Sequence, residues 1–240
     1  MSIPITYNEF RERVQNDIVN GEWIYRGQSS VDWGLNSSYF RFCKRNNLKF
    51  SLNSFHALLR NFIYQVSEYL TKEHGQMNLT QQIAFAQHHG LFTPFLDWTL
   101  SPYIATYFAL SNQTESQVSD RPFRIWAINV KEFKQTDFGE PVDNSFFIDD
   151  KVKFKYIETQ VFYSRRIARQ LGCFTFLNFQ EDLDKIFNKH NLDLKWYDIN
   201  GNRLEILKEL RIMGITGGTM FDSIDNISND IMSEFLLRNK

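Results

Sequence analysis

The stretch "HHGLFTPFLDWTLSPYIATYFAL", residues 88–110, decides how this chain is read. It contains a helix stop at Gly90, a short apolar run and a new helix start. Phe95 to Trp98 read as a buried strand. Ser101-Pro102 then opens a helix, with the hydroxyl as cap and the proline in the first turn, where its missing N–H costs nothing. Ala105, Phe108 and Ala109 fall on the inner face of that helix. Asp97, Thr99 and Ser101 therefore gather where a strand gives way to a helix. A helix N-terminus offers free N–H groups to an anion, and Trp98 offers a flat apolar face to a ring. The plain alternative has Ser101 capping the helix, Asp97 bonding the backbone and Trp98 in the core. That alternative is the better account of Ser101, whereas Asp97 and Thr99 lean towards function.

Upstream lies "WIYRGQ", residues 23–28. Trp23, Ile24 and Tyr25 make an apolar strand, and a guanidinium at its end must be paired or face a cleft. The planar fork of Arg26 suits a phosphate or a carboxylate. Gly27, which breaks the strand, lets another backbone or a ligand come close. A structural ion pair with a buried carboxylate is the competing account of Arg26.

The wider chain sets the bounds. Its 240 residues carry 27 basic and 28 acidic side chains, a net charge of -1, so no global field draws it to nucleic acid or an anionic membrane. Aromatics make up 16%, including 23 phenylalanines, which excludes a disordered chain. Neither a signal peptide nor an apolar run of spanning length is visible. Cys43 and Cys173 read as reduced, unpaired thiols of a cytoplasmic protein. There is no repeat and no linker, so residues 1–240 read as one domain.

The remaining elements follow from periodicity. Thr6 and Glu9 form a capping box ahead of a helix that turns Phe10, Val14 and Ile18 inward and stops at Gly21. A polar loop with Trp33 and Leu35 follows the first strand. Helices are expected over about 53–72 and from a Thr80 cap to Gly90. "FRIWAINV", 123–130, reads as a central strand and residues 131–150 as an unpatterned excursion. "CFTFLNF", 173–179, and "LKWYDI" read as further strands. A helix from Arg203 to Met213 comes next, and a last one from Asp222 turns Ile224, Ile227, Ile231 and Phe235 inward. The irregular alternation predicts an α+β fold with a mainly antiparallel sheet and flanking helices.

Common chemical signatures are missing. No Gly-rich phosphate loop, no zinc-spaced Cys/His cluster and no HExxH helix occurs, and adjacent His88 and His89 point about 100° apart on a helix. No metal is expected.

Three blocks, in order, are "YRGQ", "HHGLFTPFLDWTLSPYIATYFAL" and "RIARQLGCFTF". Together they resemble the FRG domain family, named for its F/Y-R-G triplet. The matching positions include Tyr25 to Gln28, Gln87, His88, Gly90, Thr93, Leu96 to Thr99, Ser101, Ala105, Tyr107 to Ala109, Arg166, Gln170 and Gly172 to Thr175 (save Cys173). Phe92 and Pro94 depart from it, standing where the family tends to have Pro and Arg.

The blocks are also similar, more distantly, to R-S-E type ADP-ribosyltransferases. That resemblance implies a split-sheet, ADP-ribosyltransferase-like core with NAD as substrate. Arg26 would contact the NAD phosphate or ribose, and Asp97, Trp98 and Thr99 stand where a Ser-Thr-Ser strand would be. The third element, a ribose-binding Glu, has two stand-ins, Gln170 and Glu158, the latter on an x-Glu-x-Gln strand with Gln160. On this resemblance the catalytic candidates are Arg26, Thr99, Gln170 and Glu158. Gly27, Gln28, His88, Asp97, Trp98 and Ser101 would bind NAD. The implied partners are a macromolecular acceptor, protein or nucleic acid, and a cognate inhibitor protein, with no membrane. Such activity would suit a bacterial toxin or phage-defence effector; the alternative is a non-catalytic module that binds a nucleotide or a partner.

Overall fold

The computed structural model describes residues 3–20, 22–70, 77–111, 121–131, 154–158, 165–178, 182–189 and 193–221, with 227–228, 231–232 and 235 besides. Seven strands form one sheet: β1 (Ile5–Thr6), β2 (Trp23–Gln28), β3 (Phe95–Thr99), β4 (Phe123–Asn129), β5 (Phe154–Ile157), β6 (Gly172–Leu177) and β7 (Leu194–Asn200). Their order is β1-β7-β4-β2-β3-β6-β5, antiparallel throughout except for the β1–β7 pair. The described helices are α1 (Tyr7–Asn20), α2 (Ser38–Arg45), α3 (Leu52–Gln65), α4 (Leu79–His88), α5 (Pro102–Ser111), α6 (Arg165–Arg169), α7 (Leu183–Lys189), α8 (Arg203–Ile212) and α9 (Gly217–Phe221). The expected mixed fold with a mainly antiparallel sheet is what forms.

Three apolar clusters hold the layers together. On one face, α1, α5 and α8 set Phe10, Ala105, Ala109 and Leu210 against Tyr25, Ile125 and Ile199. Helices α2 to α4 cover Phe95, Phe174 and Phe176. Ile24, Leu96, Trp98 and Trp126 form the third cluster with Leu183 and Phe187 of α7. Phe10, Phe55, Phe95, Phe123, Phe176 and Phe187 are each fully buried, and each such ring contributes about 1.5–3 kcal/mol.

Gly27 does not break β2. It sits inside the strand opposite Ile125, and a Cβ there would lie 1.9 Å from the carbonyl oxygen of Ala105. The close approach that its missing side chain permits is that of α5.

Local chemistry explains most boundaries. Thr6 and Glu9 form the expected capping box, with Glu9 accepting from the Thr6 N–H at 2.7 Å and Thr6 Oγ1 from the Glu9 N–H at 3.2 Å. Ser101 Oγ accepts from the Ile104 N–H at 3.3 Å at the start of α5. Other expectations need correcting. The cap of α4 is Asn78, paired with Gln81, while Thr80 is buried within its first turn. Helix α3 stops at Gln65 and hands over to a single 3-10 turn, Ser67–Tyr69, so the helix expected to residue 72 is shorter. Ile18, Ile227, Ile231 and Phe235 are exposed where an inward face was expected. Helix α2, capped by Ser37, was not anticipated. Gly21, Ile224 and residues 132–150 lie outside the described residues. No helix among the described residues is long and apolar enough to cross a membrane. Cys43 and Cys173 are buried free thiols.

Candidate functional site: a cleft where the sheet divides

β2 and β3 meet at one residue pair only, Tyr25 with Thr99. Beyond it β2 continues along β4 to Gln28, and β3 runs back along β6 to Phe95. The sheet therefore divides at Arg26, and backbone groups along the split need other partners. Arg26 supplies one, its Nη1 donating to the carbonyl oxygen of Asp97 at 2.7 Å. The same nitrogen is 3.9 Å from Asp97 Oδ2. Yet Nε of Arg26 is buried with no hydrogen-bond partner. Burial lowers its pKa to about 10, against the opposing pull of Asp97, so the guanidinium is still charged at neutral pH. A buried donor left unmade costs about 1–3 kcal/mol, which is tolerable where a ligand will complete it.

Asp97 is held as a pure acceptor. The Phe95 N–H donates to Thr93 Oγ1 at 3.2 Å, and the Thr93 hydroxyl in turn donates to Gln87 Oε1. That fixes the Gln87 amide so that its Nε2 donates to Asp97 Oδ1 at 2.5 Å. The Asp97 side chain nevertheless stays 64% exposed. Its negative charge supports three cations: Arg26, Arg41 and Arg166.

A cavity of about 450 Å³ opens at this point. Arg26, Gly27, His88, Asp97, Trp98, Thr99 and Gln170 all border it, so the structure brings these sequence candidates together. Asp97 is the only carboxylate along its described walls. His88, the last residue of α4, has its pKa lowered by burial, then by Arg166 and His89, so its ring is neutral at pH 7.

Several candidates are engaged elsewhere. Thr99 Oγ1 donates to the Gln170 carbonyl at 2.7 Å and accepts from the Ser101 N–H at 3.2 Å. Gln170 Nε2 donates to the Met220 carbonyl at 2.9 Å, tying the segment before β6 to α9. Trp98 borders the cavity, but its indole is buried and engaged. It lies on the opposite side of the strand, donating to Thr175 Oγ1 at 2.8 Å. Gln28 accepts from Trp126 Nε1 at 2.7 Å and donates to the Gly34 carbonyl at 3.2 Å. Ser101 is the cap of α5. Glu158 follows the last residue of β5, exposed and away from the cavity lining, and Gln160 lies outside the described residues.

Sequence reasoning missed the aromatic wall. Phe108 of α5 meets Phe221 of α9 edge to face at 5.8 Å, and the Arg166 guanidinium lies 4.8 Å over the Phe221 ring. Arg166 stands in the third motif block, so the signal for it was present. Phe221 had none, because α9 reaches the cleft only through tertiary packing.

A divided antiparallel sheet, with an under-bonded arginine and an aspartate at the division, marks the cleft of this α+β fold. Residues 21–118 match the model of the FRG domain. The match spans β2 to α5 and so supplies both strands of the split. No curated protein and no solved structure matches the chain.

Proposed function

We propose that the cleft binds NAD and that the chain transfers its ADP-ribose to a macromolecule or to water. The observation that carries this reading is the Arg26 guanidinium at the split, buried, charged and short of one hydrogen-bond partner, beside the exposed carboxylate of Asp97. A diphosphate would take the free donors of Arg26, and the Phe108–Phe221 wall would shelter an aromatic ring. In the reaction the glycosidic C–N bond breaks and its electron pair leaves with nicotinamide. An acceptor oxygen or nitrogen then bonds the ribose carbon and gives up its proton to solvent. Asp97 would supply the negative charge that an oxocarbenium-like transition state requires. An ADP-ribosyltransferase-like core is part of the same proposal, supported by the divided sheet. The test is nicotinamide release by the purified protein, with Arg26→Ala and Asp97→Asn as controls. Release that is absent from both variants supports the reading, and release that survives in both sinks it.

A second reading is a non-catalytic nucleotide-binding module. It is favoured by the internal engagement of Thr99 and Gln170, whose hydroxyl proton and amide N–H are already donated within the chain. NAD binding by calorimetry without any nicotinamide release would decide for it.

A further inference from the structure

Beside the cleft runs a second, larger groove of about 1270 Å³, which shares Arg26, Gly27 and Phe108 with it. We propose that this groove binds single-stranded nucleic acid, which would present the acceptor to the cleft. That placement as acceptor rests on the reading above, but the binding itself does not.

The charge along the groove is lopsided. Arg41, Lys44 and Arg45 sit on α2 at spacings of three and four, hence on one face of the helix. Arg121 faces them from just ahead of β4, and Asp32 is the only acid among the lining residues. The whole chain has a net charge of -1, so this is local accumulation rather than general basicity. Among the described residues no ion pair within 4.0 Å neutralises Lys44, Arg45 or Arg121, while Arg41 donates to the Asn36 carbonyl and feels Asp97 only from a distance. Cations at that helical spacing repel one another, and only the helix C-terminus eases Lys44 and Arg45. A polyanion would relieve the repulsion.

Amid these cations Trp33 is 56% exposed. Exposed on its own, a Trp would be unremarkable; set among unpaired cations, it offers a stacking platform next to phosphate contacts, the pairing that single-strand binders use. A duplex hides its bases in the stack and could not use that ring. One rim of the groove is tied together. Arg203 is buried, and its Nη2 donates at 3.1 Å to both the Ser29 and the Arg121 carbonyls, at the adjoining ends of β2 and β4. A dinucleotide has only two phosphates, and Arg26 with one neighbour would match them. The remaining cations fit a longer run of phosphates.

The test is fluorescence anisotropy of a labelled twelve-nucleotide oligothymidylate and of its duplex with oligoadenylate, across a salt series and without NAD. The single strand should bind, and log K should fall with log salt at a slope of about −2 to −3 for three or four phosphate contacts. The Lys44→Ala/Arg45→Ala double variant should flatten that slope by about 1.4. Trp33→Ala should weaken binding by about tenfold and leave the slope unchanged. Lys208→Ala, an exposed cation on α8, should bind as the native protein does. All four substituted positions are exposed, and melting curves establish that the three variants are folded. Absent binding, equal affinity for the duplex, or native affinity in the double variant would each overturn the proposal. So would full competition by inorganic tripolyphosphate together with a silent Trp33→Ala, which would assign the groove to a small polyanion. Because no NAD is present, a failure here is separate from a failure of nicotinamide release.

Discussion

Two arginines on neighbouring strands are buried to nearly the same degree and solve the problem differently. Arg124 on β4 is 17% exposed in its side chain, and Arg26 on β2 is 18% exposed. Arg124 lies where the sheet is continuous. It makes a bidentate pair with Asp198 of β7, at 2.6 and 2.9 Å, and its guanidinium lies near the Trp126 and Trp196 rings. Arg26 lies where the sheet divides. It has one carbonyl contact, a carboxylate oxygen 3.9 Å away and an unbonded Nε. The difference teaches that burial alone does not mark a functional arginine. The fully bonded one completes the sheet, and the under-bonded one leaves a buried donor at the head of the cleft.

The largest effects should separate these two residues. Arg124→Ala strands a buried carboxylate and should cost about 3–5 kcal/mol of stability, read from urea unfolding, with nicotinamide release per folded molecule unchanged. Arg26→Ala should do the reverse, cutting release at least about a hundredfold while the unfolding midpoint moves much less. Arg26→Lys should be nearly as damaging, because charge remains but the planar fork is lost. If both alanine variants instead lose stability and activity together, the distinction collapses and Arg26 is structural.

Gly27→Ala probes the same junction from the backbone. The new Cβ would overlap the Ala105 carbonyl at 1.9 Å, so α5 must move off β2. Overpacking of this kind costs about 1–3 kcal/mol, and the shift would carry Phe108 away from the cleft. Reduced stability with weaker NAD binding is the expected result, measured by melting and calorimetry. A variant that melts like the native protein would show that the helix can yield freely there.

What could be read from the sequence was what depends on neighbours in the chain. The Thr6–Glu9 box, the Ser101-Pro102 helix start and the arginine ending an aromatic strand are all local chemistry. The burial of Trp98 was legible too. In a strand, successive side chains point to opposite faces, so a cleft-facing Asp97 and Thr99 already turn Trp98 away. Helix α2 was also signalled by a serine cap at Ser37, but its mixed aromatic and basic residues hid the periodicity. The split itself had no local signature. It exists because β2 and β3 each prefer another partner beyond Tyr25 and Thr99, a property of register across about seventy residues of chain.

Gln170→Ala is a smaller perturbation. It removes the bond to the Met220 carbonyl and should cost about 1 kcal/mol, with α9 loosened and Phe221 less firmly placed. Gln170→Glu should be worse for stability, because a carboxylate would then face that carbonyl. Equal melting of the native, Ala and Glu forms would mean the bond contributes nothing, and any change in nicotinamide release would then report ribose contact instead.

The smallest effect expected is at His88, and it tests the electrostatics of the divided side of the sheet. Burial, Arg166 and His89 lower its pKa in the folded state below the ordinary 6.5. A depressed folded pKa means the unfolded chain binds the proton more readily. The stability His88 contributes is therefore fully present above pH 6.5 and is lost as pH falls through the folded value. His88→Gln, which cannot be protonated, should lessen the fall in unfolding midpoint between pH 7.5 and pH 5, and an identical fall in both proteins would remove His88 from the balance. A ligand sharpens the comparison further. An anion seated on Arg26 would offset the cationic field that depresses His88, so its pKa should rise on binding. Calorimetry of NAD near pH 6 should then show proton uptake, as a dependence of the heat on the buffer's ionisation enthalpy. His88→Gln should abolish that dependence while binding persists. Uptake that is unchanged in the variant would place the responding proton elsewhere in the cleft.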